Sequence, residues 1–152
     1  MTPPDTNDPR AAFHDRCETI EEAYEFFLAF AAQGLPADAA GENGRQARDY
    51  LRRCDAALAG LADVLRHAVA PLDGGSPDAY AAFIQVIDRD ARDSQAAVRL
   101  VLAQPSIGSQ IVDNLNASIH LRALLTDLFL VDEVLKTHDR RSPERPIADS
   151  RE

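Results

Sequence analysis

Tryptophan is missing from this chain of 152 residues, and lysine and cysteine nearly so: Lys136 stands alone among 16 basic residues, and the only cysteines are Cys17 and Cys54. Two cysteines with no CxxC pair and no zinc-ligand spacing supply neither a disulfide framework nor a metal knuckle, so a reducing cytoplasm is the expected setting. No apolar run nears the ~20 residues needed to cross a bilayer, and the opening MTPPDTNDPR has no apolar stretch of the kind a secretion signal carries. The chain is therefore expected to be neither secreted nor membrane-spanning. The scarcity of lysine beside abundant alanine fits a GC-rich bacterial genome.

Positive charge is also short. With 25 acids against 16 bases the formal net charge is −9, which repels phosphate backbones and anionic lipid and argues against nonspecific nucleic-acid or membrane-surface binding. No helix-turn-helix with a basic recognition helix is visible. Few aromatics leave the core to Leu, Ile, Val and Ala, a composition suited to closely packed helices. At this length a single domain buries enough apolar surface to fold without staples.

Catalytic and cofactor signatures are equally sparse. None of His14, His67, His120 and His138 has a Glu three residues before it, so the Glu-x-x-His pairs of di-iron bundles are absent. HExxH and CxxCH are missing, and Asp73-Gly74-Gly75-Ser76 lacks the spacing of a phosphate-cradling loop. No cofactor and no metal is expected. An enzyme would have to draw His120 together with Asp113 or Asp127, residues expected on a solvated face.

What is present is a helical pattern, read as an all-α chain forming a single antiparallel up-down-up-down four-helix bundle over 11–138. Three helices are expected to be long and the N-terminal one shorter, with disordered tails over 1–10 and 139–152. Thr19 and Glu22 spell a capping box opening the first helix, which Gly34 stops. The second spans roughly 44–70 and ends at Pro71, with Ala47, Tyr50, Leu51, Cys54, Leu58, Leu61, Leu65 and Val69 on one stripe. Ser76-Pro77-Asp78 opens the third, whose expected buried stripe is Tyr80, Phe83, Ile84, Ile87, Ala91, Ser94, Val98, Val101 and Leu102 and which ends near Ala103. Pro105 and Ser106 then lead into the fourth, which runs to about His138.

The first and last of these helices carry more apolar circumference than a closed four-helix monomer needs. Phe26, Phe27 and Phe30 on one and Leu121, Leu124, Leu128 and Phe129 on the other are therefore candidate interface residues, and a self-complementary patch of this kind commonly closes as a twofold dimer. Arg122 falls among apolar neighbours and needs a counter-charge: an anion or carboxylate site, an ion pair, or a stem that snorkels to water would each supply one. Arg45, Arg48 and Arg52 form a second basic stripe, read chiefly as a solvated mixed-charge face. The leading functional expectation is a non-enzymatic adaptor working through a protein partner as a homodimer. The alternative is a small-molecule-binding bundle in which Phe26, Phe27, Phe30 and Phe129 line an apolar pocket and Arg122 holds an acidic head group.

Overall fold

A computed structural model describes residues 8–38, 41–72 and 77–141. Those residues form six helices and no strand: α1 (Pro9–Ala32), α2 (Glu42–Leu58), α3 (Leu61–Val69), α4 (Pro77–Leu102), α5 (Ser109–Ala117) and α6 (His120–Arg141). The all-helical class is as expected, but six helices stand where four were read.

The N-terminal helix is long, not short. Its cap is Asp8, whose carboxylate accepts from the Arg10 N–H at 3.0 Å, with Pro9 in the first helical position. Proline there loses nothing, since that N–H has no helical partner anyway. Thr19 is not a cap: it lies inside α1 and its hydroxyl donates to the Asp15 carbonyl one turn back. Residues 9 and 10 are thus helical behind the Asp8 cap, as are 139–141; the rest of both expected tails, and the Ser76 cap, lie outside the described residues.

The expected helix over 44–70 breaks at Ala59-Gly60, where Gly60 adopts φ +64°, a conformation glycine reaches without steric cost. Arg16 reaches across from α1 and donates to the carbonyls of Ala57 and Ala59 at 3.2 and 2.6 Å, satisfying acceptors freed by the break. The expected helix over 106–138 breaks at Ile119, the one described non-glycine residue at positive φ. Its start also shifts from Ser106 to Ser109, behind an extended segment that buries Ile107.

α1 packs against α2, α3 and α5, while α4 packs against α2, α3 and α6. The shared core holds Phe27, Leu51, Leu65, Ile87, Val98 and Leu124, all essentially inaccessible. Polar clamps fix the helix ends. Arg48 donates to Leu102 O at 2.7 Å and Gln104 O at 2.8 Å, capping α4 from α2, so this member of the basic stripe has a structural partner. Asp55 on α2 accepts from Gln95 and Arg99 on α4, both at 2.9 Å. Buried Ser109 donates to Phe30 O at 2.5 Å and accepts from the Leu35 N–H at 2.8 Å, joining the end of α1 to the start of α5. Gly108 makes that approach possible: a Cβ there would lie 2.5 Å from the Ala37 nitrogen.

Candidate functional site

The sequence-expected interface residues are mostly interior. Phe27, Phe30, Leu121, Leu124 and Leu128 are buried. Phe26 is half-buried, with its ring stacked on Tyr50 at a centroid separation of 4.2 Å. Most of the apolar circumference of α1 is covered within the chain, because α2, α3 and α5 pack on it, while Leu28 stays exposed. Phe129 alone of the seven is well exposed, at 56%.

Arg122 is likewise exposed, and the burial that would have demanded a counter-charge is not there. The break at Ile119 re-phases α6 relative to the preceding residues, so a single helical wheel drawn through 106–138 misplaces it. The aromatic pocket of the alternative reading does not assemble: Phe27 and Phe30 fill the core from α1, while Phe129 and Arg122 face solvent on α6. His120 and Asp113 are exposed on separate helices, and Asp127 turns to Asp90 on α4 instead. Among the described residues no three His, Cys, Asp or Glu side chains group so as to hold a metal ion.

The unpartnered apolar surface lies on the second half of α6 and has two flanks. Toward α4, Leu130 is 53% exposed and Val134 37%. They border a cleft of about 230 Å³ whose walls include Leu72, Tyr80 and Phe83 and are almost wholly apolar. Residues 130 and 134 are one turn apart and so form a continuous ridge. Phe129, about 100° around the helix from Leu130, points to the other flank.

That second flank is a groove of about 540 Å³ between the first half of α1 and the second half of α6. Its floor is Phe13, Cys17, Leu128, Phe129 and Leu135, and its rim carries Asp8, Glu18, Glu21 and Asp132. The basic residues at the rim are engaged. Arg10 forms a forked pair with Asp139 at 2.8 and 3.3 Å, tying the start of α1 to the end of α6, and Lys136 lies 3.1 Å from Asp132. His14 Nε2 lies 3.6 Å from Glu18. Burial pushes the Glu21 carboxyl above the usual carboxylate range, and Asp132, Glu18 and Glu25 add to the rise while His14 opposes it. Burial likewise pushes the Cys17 thiol up to about 12, with Glu21 and Asp132 contributing.

Sequence reasoning found the apolar excess on the last helix but not the groove, since the α1 residues that build it, Glu21 apart, precede Thr19. The signal that locates them is the Asp8-Pro9 start. No helix among the described residues is long and apolar enough to cross a membrane. Comparison with protein-family models, with curated proteins and with solved structures finds no match.

Proposed function

We propose that this chain is a non-enzymatic adaptor that works in the cytoplasm through protein contacts and pairs as a homodimer, its six helices forming an interrupted up-and-down bundle. The observation that carries the reading is the Leu130–Val134 ridge. Two large aliphatic side chains stand in water one turn apart beside an apolar cleft, the kind of contiguous patch that marks a contact surface. A self-complementary ridge of this kind closes by meeting the same ridge of a second copy across a twofold axis.

Light scattering behind size-exclusion chromatography tests this on the wild type and on Leu130→Glu. The expected result is a wild-type dimer that the charged variant splits into monomers of unchanged helical content. A monomeric wild type at high concentration overturns the dimer, and a dimer indifferent to Leu130→Glu and Val134→Glu moves the seam elsewhere.

A further inference from the structure

The groove on the opposite flank of α6 has a chemistry of its own. Asp8, Glu18, Glu21 and Asp132 line it against Arg10, Lys136 and His14; Lys136 is paired with Asp132 and Arg10 with Asp139, which leaves Glu18 and Glu21 to set the charge of the α1 wall. Its floor is apolar, with exposed Phe129 at one wall. Along α1 the lining runs from Asp8 to Glu21, about 20 Å at the helical rise per residue, which matches three to four turns of a helix laid between two others. A helix seated in a groove buries one apolar stripe and presents its flanking residues to the rim. Complementarity then asks for cations on those flanks.

We propose that the α1–α6 groove docks a basic amphipathic helix of another protein, its apolar stripe against exposed Phe129 and part-buried Cys17 and its Lys or Arg side chains on Glu18 and Glu21. A second copy of this chain is a poor occupant, because it brings a net charge of −9 to a rim that is already acidic. Anionic lipid and nucleic acid are opposed by the same field. The inference rests on the adaptor reading and adds the chemistry of the partner, while the ridge that pairs the two copies lies about 100° around α6 from Phe129.

Fluorescence anisotropy on the full chain tests it with a labelled Lys/Leu amphipathic peptide of roughly four turns, against a Glu/Leu peptide with the same apolar stripe. The Lys/Leu peptide is expected to bind and the Glu/Leu peptide not. Glu18→Gln/Glu21→Gln is expected to weaken binding about tenfold, a loss of about 1.4 kcal/mol. Phe129→Ser weakens it independently and removes no core contact. Asp78→Asn/Asp113→Asn neutralises two exposed acids away from the groove and is expected to leave affinity unchanged. The proposal is overturned if the Lys/Leu peptide fails to bind, if the two peptides bind alike, or if the distant pair of neutralisations weakens binding as much as the groove pair. Repeating the titration on Leu130→Glu separates the two claims: loss of the dimer with retained peptide binding sinks neither the groove nor its chemistry.

Discussion

Asp127 on α6 faces Asp90 on α4, and the closeness of the second carboxyl favours a proton on Asp127. Asp127 Oδ2 is buried and no described group donates to it, an environment that also disfavours the charged form. Burial first, and then the neighbouring Asp90 carboxyl, raise the Asp127 carboxyl from 3.8 to about 7. Between those values the folded chain holds a proton that the unfolded chain has released, so this pair makes stability fall as pH rises from about 4 to about 7.

Asp127→Asn keeps a donor at that position and removes the titration. The variant is expected to be more stable than the wild type at about pH 8, with the advantage gone near pH 4. Because the pair is partly in water, a gain of roughly 1 kcal/mol is expected rather than the full value of the shift. Urea unfolding midpoints of both proteins across this range check it; parallel curves would show that Asp127 holds no extra proton in the folded chain.

Ile119 holds φ +64° at the junction of α5 and α6 with its side chain 58% exposed. A β-branched residue in the left-handed region costs on the order of 1–2 kcal/mol, and here little burial offsets it. Ile119→Gly is expected to stabilise the chain by roughly 0.5–1 kcal/mol after the entropy of glycine in the unfolded state is deducted. A raised melting temperature is the readout. A lowered one would mean that the exposed side chain is covered by a partner copy or by neighbouring side chains.

The same residue shows where sequence reading reaches its limit. Helix α4 was legible almost to the residue, because Pro77 starts it, Pro105 follows it and Ile84, Ile87, Ala91, Ser94 and Val98 keep a clean period that the structure buries. Gly34 stops α1 at positive φ, as its type suggests. The break at Gly60 stayed hidden because Leu58, Leu61 and Leu65 hold their spacing across it. At Ile119 nothing in the sequence announces a turn: the left-handed conformation is imposed by tertiary packing on a residue that disfavours it. Every wheel drawn through that point is out of phase beyond it, which sets the exposed Arg122 among apolar neighbours. The groove was illegible for a different cause, since its two walls lie more than a hundred residues apart in sequence.

Ser109 is a buried hydroxyl with two assignments, donating to Phe30 O and accepting from the Leu35 N–H. Ser109→Ala leaves both backbone groups without this partner where the α1–α2 connection crosses α5. The expected cost is about 1–3 kcal/mol, the range for stranding a buried polar group. Denaturant unfolding gives the number directly; a change under a few tenths would mean that water replaces the hydroxyl at no loss. Ser94 supplies the contrast, because its hydroxyl is buried with no described partner, and Ser94→Ala is expected to be neutral or mildly stabilising.

Cys17 reports on the groove without any partner present. Burial pushes the thiols of Cys17 and Cys54 up to about 12; Glu21 and Asp132 contribute at Cys17, and Asp55 at Cys54. Only the thiolate alkylates readily, so at neutral pH both are expected to react slowly with iodoacetamide, with the fully buried Cys54 silent until the chain unfolds. Glu21→Gln removes the largest electrostatic contribution at Cys17 and is expected to speed its alkylation several-fold at a fixed pH, while leaving Cys54 unchanged. Mass spectrometry of the modified peptides separates the two sites. An unaltered Cys17 rate would show that the Glu21 carboxylate does not govern the potential at the floor of the groove, and with it the charge that a basic partner would meet there.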